Sequence, residues 1–422
     1  MSDLLRSLPS IREQAPPNRP GPNIVTTTRA RSTSTSSDPD ASSSDSSTST
    51  ADSINTLRPS TPPSTSSQPP IPWPRFFTKE LHLPYTPPSS PHPTAIYHAY
   101  LTPPASPTKG PLFITHHGAG SSAMSFAPFA QALRTLAPEA GILSLSAREH
   151  GSVILPGPSP SGPPSTSPSS PSASPDHGPP QAPDFSIPTL TADALRTILL
   201  VQSHEAWPSL PPCVLVGHSL GGAVFTSLAA DGALGPALVG LQVLDVVEGS
   251  ALEALAWMRT YLASRPLRFG SVGEAVDWHL RSRVVRRGES AGVTVPGLLV
   301  RVPQGKGGEG PGEEGWGWRT DLVRTQGFWE GWFAGMSGRF LAGRAAKALV
   351  LAGTDRLDKE LMVGQMQGKF QLTVLPEAGH FLHEDVPEKM ASLSVEFFRR
   401  NDRSALVLPP KVGDLLKMGK KV

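Results

Sequence analysis

The chain has 422 residues and a single cysteine, Cys213. No intrachain disulfide can form, so a disulfide framework is excluded and a reducing compartment fits. Cys213 lies in an apolar run, where a small buried hydrophobe belongs. Long apolar runs are also missing. None reaches the roughly 18 residues of a membrane span, and the opening "MSDLLRSLPSIREQAPP" lacks the apolar core of a signal peptide. A cytoplasmic or nuclear location is expected. No charge of one sign dominates. Lys and Arg number 37 against 35 Asp and Glu, a net charge of +2, which calls for neither nucleic acid nor an anionic membrane as partner. Hydrophobic content is only 38%, low for a chain folded throughout. The 48 prolines are about twice the usual share of about 5%. Part of the chain is therefore expected not to fold.

Composition locates that part. Residues 1–70 are rich in Ser, Thr and Pro, as in "RSTSTSSDPDASSSDSSTST". They cannot bury enough apolar surface to offset their ordering entropy, so a disordered tail is expected. Aromatics arrive at "IPWPRFFTKELHLPY", and a domain over 71–400 is expected to start there. Short apolar runs then read as strands: "LHLPY", "AIYHAYL", "PLFITHH", "ILSLSA", "CVLVGH", "LQVLDVV", "ALVLAG" and "FQLTVLP". The later ones are continuous rather than alternating, as in strands covered on both faces of a parallel sheet. Helical spacing appears between them, in "MSFAPFAQALRTLA", "TLTADALRTILLVQSHE" and "EKMASLSVEFFRRN". This rhythm predicts an α/β fold with a mostly parallel central sheet flanked by helices and right-handed crossovers. Two segments break it. Residues 154–183 form a Pro/Ser-rich insertion, expected to be a mobile loop. Residues 250–345, with six of the eight tryptophans, read as a mostly helical insertion or lid. Most of those tryptophans are expected to be ordinary core. Residues 401–422 form a basic C-terminal tail.

The segment "CVLVGHSLGGAVF" carries the chemistry. Gly217-His218-Ser219-Leu220-Gly221 fits G-x-S-x-G in a strand–turn–helix setting. There a serine on a tight turn holds its hydroxyl above the sheet, and the alternative is a purely structural turn serine. The Leu220 amide at the helix start can stabilise an oxyanion. A serine nucleophile needs a base. His380, in "FQLTVLPEAGHFLHED", follows the last strand, with His383 as the second choice. A second oxyanion donor is expected from Ala119, with Gly120 as a further contributor, in the glycine-bearing loop "FITHHGAGSSAMSF". Helix capping by Ser121 or Ser122 is the plainer role of that loop. The acid is open between two strand ends. Asp245 in "LQVLDVVEGS" lies in an apolar run where a carboxylate needs an imidazole partner. Asp355 and Asp358 lie in "ALVLAGTDRLDKEL". A metal role for His116 and His117 is not expected, because adjacent strand residues point to opposite faces.

The strings "VGHSLGGAV", "DVVEGSALEAL", "WRTDLVRTQGFWEGWFAGMS" and "LAGTDRLDKELMVGQMQGKFQLTVLPEAGHFLHEDVPEK" together resemble the protein phosphatase methylesterase family, within the α/β-hydrolase superfamily. The resemblance spans most of 71–400 outside the 154–183 insertion. It implies an α/β-hydrolase fold and a serine carboxylesterase that removes the methyl ester from the C-terminal leucine of the protein phosphatase 2A catalytic subunit. It further implies a triad of Ser219, Asp245 and His380, with Asp355 structural, and no cofactor or metal. The string "LSAREHG" departs from the family's "LDLRSHG" at Ser146 and Ala147, while Arg148, His150 and Gly151 match. In the tail, Leu8, Ile11 and Glu13 fit an L-x-x-I-x-E pattern similar to docking motifs read by a regulatory subunit of the same phosphatase.

Overall fold

A computed structural model describes residues 70–155, 183–303, 315–353 and 357–403. Most of both expected tails, most of the 154–183 insertion and Asp355 fall outside the described residues, as do Leu8, Ile11 and Glu13. Twelve strands are described: β1 (Lys79–Tyr85), β2 (Ala95–Thr102), β3 (Leu112–His116), β4 (Gly141–Leu145), β5 (Val153–Ile154), β6 (Cys213–His218), β7 (Leu238–Leu244), β8 (Arg268–Phe269), β9 (Leu299–Val302), β10 (Gly315–Trp318), β11 (Ala346–Leu351) and β12 (Gln371–Val374).

The main sheet runs β1-β2-β4-β3-β6-β7-β11-β12, with β5 against β2. The β1–β2 and β2–β4 pairs are antiparallel. From β4 onward every pairing along the path is parallel. The eight apolar runs all become strands of this sheet. β3, β4 and β6 are buried at every residue, which is why their sequences show no alternation. Helices Ile187–His204 and Leu220–Asp231 supply Leu190, Ile198, Val224 and Phe225 to one face. Helices Ala127–Leu136 and Pro387–Asn401 supply Phe129, Leu133, Phe397 and Phe398 to the other. Burying each such side chain contributes about 1.5–3 kcal/mol.

The segment between β7 and β11 is helical in large part. Its helices include Glu248–Ser264, Val272–Arg281, Gly288–Thr294, Trp329–Phe333 and Met336–Ala342. It also holds a small antiparallel sheet, β8-β10-β9, over its own apolar cluster of Phe269, Ala275, Val276 and Leu299. These strands of two to four residues are too short for any period to show. Trp329 and Trp332 are core, Trp278, Trp316 and Trp318 pack on the small cluster, and Trp257 is exposed. No helix among the described residues is long and apolar enough to cross a membrane.

Strand order reverses direction at β3. Its neighbour on one side, β4, follows it in the chain immediately, and its other neighbour, β6, leads away across the sheet. A crevice opens at the carboxyl ends of strands at such a point, and the loops after β3 and β6 meet there.

Candidate active site

Ser219 follows β6 and precedes helix Leu220–Asp231, with φ 51° and ψ −119°. A non-glycine residue there carries strain of order 1–3 kcal/mol. Its neighbours hold it in place. The Ser219 amide donates to the Leu244 carbonyl at 3.0 Å, and the Ser219 carbonyl accepts from Gly222 and Ala223 at 2.8 and 3.2 Å. The helix start lies flush on the end of β3. A Cβ at Gly221 would stand 2.2 Å from the His116 carbonyl oxygen, so only glycine fits.

Asp245 comes directly after β7, also at positive φ, 50°. It is buried, and both carboxylate oxygens are engaged. Oδ1 accepts the Ala352 amide at 2.7 Å, and Oδ2 lies 2.7 Å from His380 Nδ1. Burial pushes its pKa upward. The bonds from His380 and Ala352, with the His380 charge, outweigh burial and hold it down to about 2. The carboxylate is thus ionised and fixes His380 with its proton on Nδ1. His380 and Ser219 line the same cavity.

Two partners hold the His380 loop. His218 Nε2 donates to the His380 carbonyl at 2.9 Å, and the Gly379 amide donates to Asp385 Oδ2 at 2.7 Å. Burial keeps His218 neutral by lowering its pKa well below the usual histidine value, and the nearby His380 and His383 act the same way. His218 occupies a variable position of G-x-S-x-G, and Asp385 lies in "HFLHED". Nothing in the motif marks either as a support.

The loop after β3 forms the facing rim. A Cβ at Gly118 would stand 3.1 Å from Ser219 Cβ, so the loop lies directly against the serine. Among the described residues, no hydrogen bond uses the amides of Ala119 or Leu220. The Gly120 amide is spent. It donates to His150 Nε2 at 2.9 Å, and His150 Nδ1 donates to the Arg148 carbonyl at 2.8 Å. Gly120 is thereby removed as an oxyanion donor, and His150 becomes a buttress of the loop.

The other candidates fall elsewhere. His383 is fully buried, stacked 4.2 Å from Phe126, and neither ring nitrogen has a hydrogen-bond partner among the described residues. Asp358 caps helix Lys359–Met366, accepting the Leu361 amide at 2.9 Å. Ser122 precedes the short 3-10 turn Ala123–Phe126, but its hydroxyl makes no capping bond. The capping alternative is therefore not realised at Ser122. His116 and His117 do not diverge, since His117 lies past the end of β3. Their rings stack 5.3 Å apart, and each Nδ1 donates to a backbone carbonyl.

The cavity above Ser219 has a volume of about 90 Å³. Its far wall comes from the inserted segment and includes Met258, Tyr261, Arg265, His279 and Trp318. The Arg265 guanidinium lies 3.7 Å from the centre of the Trp318 ring, and its buried Nε has no hydrogen-bond partner among the described residues. Glu384 completes the wall. It accepts from the Thr294 hydroxyl at 2.9 Å, and burial raises its pKa well above the ordinary glutamate value.

Comparison with known proteins agrees with this geometry. A model of the alpha/beta hydrolase family matches residues 112–393. Protein phosphatase methylesterase 1 of Neurospora crassa is 50% identical over 379 residues, covering 85% of this chain and 82% of its own length. The proteins of that name from Schizosaccharomyces pombe and Cryptococcus neoformans are 42% and 37% identical, covering 81% and 86% of this chain and 88% and 86% of their own lengths. With a strained serine, an imidazole and a buried carboxylate gathered at the strand ends, the chain belongs to the protein phosphatase methylesterase 1 family of α/β hydrolases.

Proposed function

We propose that the protein is a serine esterase that hydrolyses the methyl ester on the C-terminal leucine of the protein phosphatase 2A catalytic subunit. The observation that carries this reading is the 2.7 Å contact between His380 Nδ1 and the ionised Asp245, beside a serine on a strained turn in a chain of this family. With Nδ1 protonated and held by Asp245, His380 acts as the base through Nε2. It takes the Ser219 hydroxyl proton as Oγ attacks the ester carbonyl, and Asp245 stabilises the imidazolium. The developing oxyanion sits on the amides of Leu220 and Ala119. The tetrahedral intermediate collapses, the carbonyl–methoxy bond breaks, and His380 returns the proton to give methanol. Water, deprotonated by His380, then attacks the acyl-serine and releases the leucine carboxylate and Ser219.

Incubation with methylated phosphatase subunit should release methanol and free carboxylate, and Ser219→Ala should release neither. Efficient turnover of short acyl esters with no demethylation of the phosphatase subunit would assign a general carboxylesterase instead. Phosphatase binding without labelling by a fluorophosphonate probe would assign a non-catalytic binding protein. A second contact, between Leu8, Ile11 and Glu13 and a phosphatase regulatory subunit, rests on the L-x-x-I-x-E pattern alone. Titration of a peptide of residues 1–20 tests it, and no binding removes it.

A further inference from the structure

Outside the cavity, chemistry-bearing side chains gather on the outer face of the first hairpin. β1 and β2 pair so that His82 lies opposite His98 and Glu80 opposite Tyr100. Residues two apart on a strand share a face. Glu80 and His82 therefore project together, while Leu81 and Leu83 between and beyond them fill the core. Glu80 Oε1 lies 2.9 Å from His98 Nε2 and 3.9 Å from His82 Nε2. All three donor atoms fall within 4.8 Å of one another.

The anchor is His98. Its side chain is buried, and its Nδ1 lies 2.7 Å from Ser146 Oγ. One ring nitrogen is held by a hydroxyl while the other faces the cluster. Metal-ligating imidazoles are oriented in this way by a partner on the second nitrogen. His82 can adjust, since its side chain is 64% exposed, while Glu80, 30% exposed, is held toward the cluster by His98 and the Tyr100 hydroxyl. Zinc holds nitrogen and oxygen ligands at about 2.0–2.2 Å, which sets tetrahedral donors roughly 3.3–3.5 Å apart. Rotation of the exposed His82 side chain toward the Glu80–His98 pair brings donors that already lie within 4.8 Å of one another toward that spacing. Two imidazoles in three ligands suit zinc, whereas magnesium and calcium take oxygen donors.

We propose that Glu80, His82 and His98 form a binding site for a divalent cation of the zinc class, with solvent in the fourth position. On binding, the cation takes the Nε2 lone pair of each imidazole and one Glu80 oxygen. The direct Glu80–His98 hydrogen bond is replaced by two bonds to the metal. The proton that His98 Nε2 donates to Glu80 leaves to solvent, and Nδ1 takes up a proton that it donates to Ser146 Oγ, so the ring stays neutral. None of the three residues lines the cavity at Ser219, so the site is separate from the esterase chemistry.

The test uses the full chain, stripped with chelator, exchanged into chelator-free buffer and titrated calorimetrically with zinc chloride. One ion per chain is expected, with no heat from magnesium chloride. Glu80→Gln and His82→Ala should each weaken zinc binding at least tenfold while leaving the chelator-treated melting temperature unchanged, because both side chains reach solvent. X-ray absorption of the loaded protein should show two imidazoles and one carboxylate. Wild-type affinity in both variants would overturn the proposal. So would loss of binding in His82→Ala with none in Glu80→Gln, which would reduce the site to a surface histidine contact.

Discussion

Ser219, Asp245 and His380 stand on turns that follow β6, β7 and β12, whereas Met258, Tyr261, Arg265, His279 and Trp318 face them from the segment inserted between β7 and β11. On the sheet side the acid and the histidine loop are committed. Asp245 spends both oxygens, His380 offers Nδ1 to it, and the His380 carbonyl is taken by His218. On the inserted side a guanidinium is stacked on Trp318 and keeps a buried Nε unpaired among the described residues. Groups fixed before substrate arrives cost no reorganisation during reaction, which is the property catalysis needs. A buried donor without a partner is costly unless something that enters satisfies it. The contrast assigns the reaction to the sheet side and substrate selection to the inserted side.

Breaking the sheet side should have the largest effect. Ser219→Ala should abolish demethylation and fluorophosphonate labelling, and Asp245→Asn should lower kcat by about 10⁴ through the wrong imidazole tautomer. Asp358→Asn should stay near wild-type activity, since its carboxylate caps a helix and contributes about 1 kcal/mol of stability. Asp355→Asn, made alongside, is expected to retain activity. A large loss there with none in Asp245→Asn would move the acid to the end of β11.

The same carboxylate sets an acid limit on stability. Its folded pKa, about 2, lies below the ordinary aspartate value of about 3.9. The stabilisation is complete above about pH 4 and is lost as pH falls toward 2, a contribution of about 2–3 kcal/mol. Urea unfolding across pH 2–6 should show this slope in the wild type and a flatter one in Asp245→Asn.

The two sides also differ in what could be read from sequence. The main strands were legible because buried parallel strands are uninterrupted apolar runs, and the serine turn because its small neighbours are adjacent in the chain. The small β8-β10-β9 sheet was not legible, since Gly315–Trp318 shows no period in four residues. The acid stayed open because 135 positions separate Asp245 from His380, and only folding brings them together. His218, His150 and Asp385 act through backbone atoms of other residues, which leaves no motif. Glu80, His82 and His98 became a group only through the β1–β2 register.

His218 supplies a smaller break on the sheet side. His218→Phe fills the ring space but cannot donate to the His380 carbonyl. We expect kcat to fall about tenfold, of the order of one lost hydrogen bond, with KM unchanged. His218→Gln, which keeps a donor, should recover part of the loss. An unchanged kcat in His218→Phe would mean that the Asp385 bond alone holds the loop.

Arg265 is the smallest of these effects and the one that sharpens the comparison. If the inserted side selects substrate, truncating it should matter only to substrates that reach it. Arg265→Ala should raise KM for the methylated phosphatase subunit about tenfold, the scale of a hydrogen bond to a charged group. It should change turnover of a short acyl ester less than twofold, because such an ester ends at Ser219. Arg265→Lys should not restore the wild-type KM, since an ammonium cannot stack flat on Trp318 while presenting a planar donor edge. Equal losses on both substrates would place Arg265 with the reacting groups and erase the division between the two sides.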